Sequence, residues 1–338
     1  MPYNIALQFE DGVSRIIQCD AEELVADAAY RAKINIPLDC RDGACGTCKC
    51  HCESGTYTQG VYIDDALTEE EAAEGYILTC QMRPTSDCVI RIPASSAACK
   101  TEVASHASTI TKINRDSKTT VSFTVQADRP IAFLPGQYVN LQVPGTGETR
   151  AYSFSSAPNK ADLSFLIRDV PGGLMSTYMR STANTGDTMN FTGPYGSFYL
   201  RPAERPILML AGGTGLAPFL SMLLWLQDNP TTQPIMLAYG VNTNDDLVEL
   251  DTLTQLKAAM PNLDFITVVV DPASGHPKLG YVTDHLSAKD LHDGNVDVYV
   301  CGPPPMVEGV RKWMSGVGVT PNSFHFEKFS SSTAGVHE

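Results

Sequence analysis

Cys40-Arg41-Asp42-Gly43-Ala44-Cys45-Gly46-Thr47-Cys48, with Cys80 following after a gap of 31 residues, organises the reading of this 338-residue chain. The pattern is C-x4-C-x2-C…C, the ligand spacing of a 2Fe–2S cluster. Two irons bridged by two sulfides need four thiolates converging from one side. Three of them on one tight loop require a backbone that folds around the cluster. Gly43, Ala44, Gly46 and Thr47 are small enough to permit this and to let N–H groups point at the sulfurs. Cys80 would supply the fourth thiolate from a distant segment. Structural zinc on Cys45, Cys48 and Cys80 is the competing reading, although zinc pairs usually repeat C-x2-C twice. A disulfide framework does not suit a chain without a secretory leader. Cys50 and Cys52 alternate as on a strand leaving the loop, facing away from Lys49 and His51. With Cys19, Cys88 and Cys99 they read as structural, and His51 alone is too little for Rieske ligation.

Working outward, nine of the ten cysteines precede residue 100, and only Cys301 lies beyond. Charge divides the same way. Residues 1–100 carry 16 acids against 8 bases, more than half of the net −14 in less than a third of the chain. With 43% apolar and 18% charged residues, the composition is that of a globular protein of two or three domains. The acidic balance argues against non-specific nucleic-acid binding and against docking on an anionic membrane. The first residues lack the basic start of a signal peptide, and Glu10 and Asp11 interrupt any apolar run, so a cytoplasmic protein is expected. Residues 206–227 are uncharged and imitate a membrane span, but Gly212, Gly213, Gly215 and Pro218 in their middle read as a buried strand, a glycine turn and a buried helix.

Three patterns succeed one another. Residues 1–97 open with alternating runs at 3–9 and 13–19, then a helix at 22–31, the cysteine loop and a last strand at 88–92, an α+β domain. Residues 98–106 are small and polar and read as a linker. Residues 107–202 hold strands at 109–114, 120–126, 138–143, 151–155 and 163–168 with Gly and Pro between them, the pattern of an antiparallel β-barrel, interrupted by one helix at 173–180. From 203 to 338, strands at 207–211, 235–239, 265–270 and 296–300 alternate with helices at 217–227, 248–259 and 304–314. That alternation predicts an α/β doubly wound parallel sheet.

Four motifs sit in the second and third stretches. Arg150-Ala151-Tyr152-Ser153 ends a strand. Gly172-Gly173-Leu174-Met175-Ser176-Thr177 opens the helix of the barrel region, where free N–H groups can take a phosphate. Gly212-Gly213-Thr214-Gly215-Leu216-Ala217-Pro218 joins a strand to a helix, with Pro218 where the G-x-G-x-x-G fingerprint has its third glycine. Cys301-Gly302-Pro303-Pro304-Pro305-Met306 comes directly after a strand. Taken singly, these also read as an ordinary strand, a glycine turn and a buried thiol before a proline turn.

Taken together they resemble two families joined end to end. Residues 36–52 with Cys80 look like a plant-type ferredoxin, which implies a β-grasp fold and Cys40, Cys45, Cys48 and Cys80 as cluster ligands. Residues 107–338 look like the ferredoxin–NADP reductase family, matching its R-x-Y-S, G-G-T-G-x-x-P and C-G-P-x-x-M motifs. The resemblance implies FAD, with FMN as fallback. Arg150 would meet the pyrophosphate, Tyr152 would flank the isoalloxazine and Ser153 would stand near flavin N5. Ile167 and Arg168 would pass near the cofactor, and Gly173, Leu174, Met175 and Ser176 would hold the diphosphate. Gly213, Thr214, Gly215, Cys301, Gly302 and Pro303 would bind the nicotinamide nucleotide, with Cys301 helping to align nicotinamide C4 with flavin N5. Phe329 is the candidate aromatic covering the flavin, while Phe324 and Phe326 read equally as a last strand. Ser153 and Cys301 are thus the expected catalytic residues. After strand 235–239, Asn242, Asn244, Asp245 and Asp246 include no base to meet a 2′-phosphate, so NADH is expected over NADPH.

The order of ferredoxin, flavin and nicotinamide domains is similar, over nearly the whole chain, to reductases of bacterial ring-hydroxylating dioxygenases of the benzoate, toluate and anthranilate type. Reductases of methane and phenol monooxygenases and of some sugar deoxygenations share the order. The resemblance implies electron flow from NADH through FAD and the 2Fe–2S cluster to a Rieske-type oxygenase component. A cluster-bearing regulatory or interaction protein is the alternative from another class. The run Asp64, Asp65, Glu69, Glu70, Glu71 and Glu74 reads as a solvated face, or as a docking face for a basic partner.

Overall fold

The computed structural model describes residues 2–100 and 103–329. They form two compact units, Met1–Ala104 with Gly193–Ser197, and Ser105–Thr192 with Phe198–Glu338.

In the first unit, Tyr3–Phe9 turns back on Ser14–Cys19 in antiparallel register, Tyr3 opposite Cys19. On its other edge it runs parallel to Cys88–Ile92. Lys49–Ser54 and Tyr76–Leu78 complete a five-stranded mixed sheet. Alternation decides which face is covered: Ile5, Leu7, Ile90 and Ile92 have no exposed surface, and each such side chain contributes about 1.5–3 kcal/mol on burial. The helix Val25–Arg31 buries Val25, Ala26, Ala28 and Ala29. It begins three residues later than the pattern predicts because Leu24 is extended, at φ −76° and ψ 139°. Glu23 lies outside the helix and reaches Arg31 at 2.7 Å instead. A sheet gripping one helix in this order is a β-grasp.

In the second unit, Lys160–Arg168, Thr120–Ile131 and Ser108–Arg115 make a three-stranded sheet, and Thr149–Ser153 and Tyr138–Gln142 pair in another. A bridge between Phe154 and Phe165 joins them. Their inner faces enclose stacked aromatics: Phe133 on Phe154 with centroids 3.8 Å apart, Phe123 on Phe165 at 5.3 Å. The helix Leu174–Ser181 adds Met175 and Met179 to this core.

The last sheet of the second unit is parallel throughout, in the spatial order Leu263–Val269, Ile235–Val241, Ile207–Gly212, Asp297–Gly302, Ser323–Lys328. Its central strand Ile207–Gly212 is buried from Ile207 to Ala211, as continuous apolar strands are when helices cover both faces. Leu216–Asp228 and Leu250–Ala259 pack into one apolar cluster and Pro304–Val317 into another. Chain order reverses direction between Ile207–Gly212 and Asp297–Gly302, which makes the loops after Gly212 and Gly302 the rims of a topological switch point, where such sheets bind ligands. The uncharged stretch 206–227 is thus strand, turn and helix, and among the described residues no helix is long and apolar enough to cross a membrane.

Candidate functional site

The cysteine loop is shaped by backbone conformations that exclude side chains. Gly43 has φ +85°, and a Cβ there would run into the Val61 carbonyl oxygen. Gly46 has φ +71°, and its Cβ position lies 3.1 Å from the Ala66 oxygen. The loop therefore lies flat against segment 61–66 and turns its N–H groups inward. The Cys45 N–H donates to the Cys40 sulfur at 3.3 Å, and the backbone at Gly43 helps lower the Cys80 thiol. Thr79, fully buried, ties the distant segment to the loop by donating from its N–H to the Cys48 carbonyl at 3.2 Å.

Cys40 stands within hydrogen-bonding reach of Cys45, and Cys48 of Cys80, while among the described residues no three such side chains are yet gathered closely enough to hold a metal ion. Sharing that bond pushes Cys45 down to about 6 and lowers Cys80, while Cys40 and Cys48 are raised. Within each pair the two thiols are pushed in opposite directions, because ionising both would set like charges side by side unless positive charge stands between them. A 2Fe–2S core supplies that charge, and the inward N–H groups suit its sulfurs. The other five early cysteines stay out of this group. Cys50, Cys19 and Cys99 are buried, with burial the main cause of their raised thiol values. Cys52 and Cys88 contact each other, across the two strands that carry them.

In the barrel, Arg150, Tyr152 and Ser153 lie along Thr149–Ser153, paired with Leu141, Val139 and Tyr138. Arg150 reaches Glu148 at 3.1 Å and keeps part of its guanidinium open. Tyr152 packs against the barrel core, and burial raises its hydroxyl to about 12. Ile167 is fully buried whereas Arg168, its neighbour, is exposed. No side chain caps the helix that starts after Gly173. The Ser176 hydroxyl instead fixes the incoming strand, accepting from the Val170 N–H at 2.8 Å and donating to the Arg168 carbonyl at 3.3 Å. This leaves the helix N-terminus, with Leu174 and Met175, as a place fit for an anion.

At the switch point the two glycine loops interlock. A Cβ on Gly215 would strike the Cys301 carbonyl, and one on Gly212 would lie 2.5 Å from the Met306 sulfur. Gly302 and Pro303 approach Gly212 on the same side, and Gly213 has φ +56° beside Thr214. Cys301 is fully buried, and burial, then the adjacent Glu327, raises its thiol well above the usual range.

The residue missing from the sequence reading is Glu327. It sits opposite Cys301 in the parallel pair of strands Asp297–Gly302 and Ser323–Lys328. Its Oε2 accepts from the Ser153 hydroxyl at 3.2 Å and from the Cys301 thiol at 3.9 Å. Enclosure by the unit raises its carboxyl from 4.5 to about 8, against the lowering effect of those two donors. Some of its surface stays open, as for a group lining a cleft. Ser153 and Cys301, 148 positions apart in the chain, are thus joined through one carboxyl whose hold on its proton is strengthened by burial. The signal was faint: one acid, beside Lys328, in the aromatic-rich run Phe324-His325-Phe326-Glu327-Lys328-Phe329. Phe329 comes two residues later, partly buried, its N–H donating to the Gly302 carbonyl at 2.9 Å.

The loop after Ile235–Val241 is held by its own acids. Asp246 accepts from Thr243 through N–H at 3.0 Å and hydroxyl at 2.8 Å, and from Thr119 of the barrel. Burial opposes its charge, yet these bonds keep its carboxyl below the usual range. Asp245 is left exposed, with Lys118 of the barrel at 3.9 Å, a cation the local sequence did not announce. Asp271 joins the same rim, its N–H donating to the Asn242 carbonyl at 2.9 Å.

Comparison with known proteins matches residues 8–85 to a 2Fe-2S iron-sulfur cluster binding domain, residues 106–199 to an oxidoreductase FAD-binding domain and residues 209–312 to an oxidoreductase NAD-binding domain. The toluate 1,2-dioxygenase electron transfer component of Pseudomonas putida is 51% identical over 335 residues, covering 98% of this chain and 100% of the relative. The 2-halobenzoate 1,2-dioxygenase electron transfer component of Burkholderia cepacia is 52% identical, with 98% of each chain covered. The anthranilate 1,2-dioxygenase electron transfer component of Acinetobacter baylyi is 39% identical over 98% of each. Among solved structures, Amycolatopsis cytochrome P450 reductase GcoB superposes with a TM-score of 0.73 at 29% identity, over 97% of this chain and 100% of that one.

Proposed function

The chain belongs to the family of dioxygenase electron transfer components, in which it carries 2Fe–2S, FAD and NAD domains, and we propose on that premise that it oxidises NADH and delivers single electrons to the Rieske-type oxygenase component of a dioxygenase acting on a benzoate-type aromatic acid. The proposed domains are 1–97, 107–202 and 203–338, and the proposed setting is the cytoplasm, without nucleic-acid or membrane partners. The observation that carries the reading is the meeting of Ser153, Glu327 and Cys301 at the switch point, in a chain that also holds a three-cysteine loop with Cys80 as fourth candidate ligand.

Bound in these sites, FAD and the 2Fe–2S cluster supply the conversion of a two-electron hydride donor into a source of single electrons. The protein's part is placement and electrostatics. Arg150 offers a cation to the diphosphate, and the uncapped start of Leu174–Ser181 offers N–H groups and the positive end of a helix dipole. Tyr152 supplies an aromatic wall. Glu327 keeps its proton at neutral pH, so it presents no fixed negative charge beside Ser153 and Cys301. Cys301, held as a neutral buried thiol, acts by shape rather than as a nucleophile. Gly213, Thr214, Gly215, Gly302 and Pro303 let a nucleotide approach the backbone. Asp245 and Asp271 on the rim disfavour a 2′-phosphate, which supports NADH over NADPH.

The test is anaerobic purification followed by turnover with oxygenase components. A brown-yellow protein with flavin and about two irons that supports NADH-driven turnover of a benzoate-type oxygenase is expected. Colourless protein containing zinc would overturn the proposal.

A further inference from the structure

The cysteine loop does not stand alone at the surface. Segment 61–63 lies against it: the Ile63 N–H donates to the Gly43 carbonyl at 3.3 Å, and Tyr62 Cα is 3.0 Å from where a Gly43 Cβ would be. Val61 is 83% exposed and Ile63 49% exposed. Cys45 and Ala44 of the loop are exposed beside them. Two neighbouring aliphatic side chains are left in water next to a metal-binding loop, apolar area that burial would remove from solvent. A surface that leaves them bare gains when another surface covers them.

The charges around the edge indicate the chemistry of the covering surface. The chain continues directly into Asp64 and Asp65, then through buried Ala66 and Leu67 into the helix Glu69–Ala73. Thr68 and Glu71 cap that helix reciprocally, fixing the orientation of its acids. Glu71 is also paired with Lys49 at 2.5 Å. Among the described residues, Asp64, Asp65, Glu69 and Glu70 have no such ion pair, and all four are exposed. An anionic protein face, a membrane of anionic lipid or a nucleic acid is repelled by this arrangement.

We propose that residues 61–65, with Glu69 and Glu70, form the face through which electrons leave the cluster, and that its occupant is the basic, partly apolar rim of a protein surrounding a one-electron metal centre. This rests on the relay proposed above and adds its exit. The apolar pair makes the short contact beside the exposed Cys45, and the unpaired acids steer the partner onto it. The two contributions separate by salt, because charge steering is screened with a Debye length of about 8–10 Å while apolar contact is not.

The experiment uses the full-length holoprotein with NADH and, as probe, cytochrome c, a basic one-electron haem protein. Cluster reduction by NADH is followed in parallel by electron paramagnetic resonance. Val61→Ser with Ile63→Ser should slow cytochrome c reduction about tenfold at every salt concentration. Asp64→Asn, Asp65→Asn, Glu69→Gln and Glu70→Gln together should slow it at low salt and flatten its salt dependence. Both sets alter exposed side chains, and both should leave cluster reduction by NADH at the wild-type rate. Wild-type rates and salt response in both variants would overturn the docking face while leaving the relay intact. Failure of NADH to reduce the cluster in the wild-type protein would overturn the relay, and the exit with it.

Discussion

Glu327→Gln probes the site through a quantity the structure supplies. The carboxyl is raised from 4.5 to about 8 by enclosure, and at 1.36 kcal/mol per unit this makes its ionisation in the folded chain cost at most about 5 kcal/mol. The direction in pH comes from proton counting. Between those two values the folded state binds a proton that the unfolded state has lost, so stability falls as pH rises and levels off once the folded group has also ionised. The wild-type protein should therefore lose roughly 2 kcal/mol between pH 6 and 8 from this residue alone, and little more above. The Gln variant keeps the shape and one hydrogen-bonding oxygen but cannot ionise, and should lack that decline. Trp225 and Trp313 are the chain's two tryptophans, on the helices Leu216–Asp228 and Pro304–Val317 that pack on the parallel sheet. Guanidinium unfolding followed by their fluorescence at pH 6, 7, 8 and 9 thus reads the part of the molecule that holds Glu327. If both proteins lose stability in parallel across this range, the carboxyl is not held neutral and its place between Ser153 and Cys301 has been misread.

Gly215→Ala puts a Cβ 2.7 Å from the Cys301 carbonyl carbon; separating two packed backbones should cost about 1–3 kcal/mol in thermal unfolding and weaken NADH binding at least tenfold in titration. Asp245→Arg replaces an exposed acid whose near cation is Lys118 at 3.9 Å, and should raise kcat/KM for NADPH relative to NADH by about tenfold in steady-state assays. Arg150→Ala removes a charge-assisted donor worth about 1.5–3 kcal/mol, so flavin retained after gel filtration should fall sharply, by absorbance, with iron content unchanged.

The fold was legible where a single physical signal dominates. Alternation located the strand at Tyr3–Phe9 and, from Leu163 onward, the strand Lys160–Arg168, and a continuous apolar run located Ile207–Gly212 up to Ala211, because burial on one face or two leaves those patterns directly in the residues. The start of the first helix was not legible, since Leu24 differs from its helical neighbours only in backbone angles. The cysteine spacing was readable because three of its four thiols come from one loop. Glu327 was harder. Its role depends on register between two parallel strands and on Ser153 arriving from a separate sheet, relations that exist only after folding. The same holds for Thr119 and Lys118, which approach the Asn242–Asp246 loop from more than 100 positions away and alter its charge balance.

The central claim is a sequential relay, hydride to flavin and then single electrons to the four-cysteine cluster. Cys80→Ser, mixed anaerobically with NADH in a stopped-flow spectrometer, tests it most directly. A sequential relay predicts that the variant's flavin bleaches at the wild-type rate while the cluster signal and cytochrome c reduction are lost. Equal loss of flavin bleaching and cytochrome c reduction, or cytochrome c reduction that survives the substitution, would contradict it.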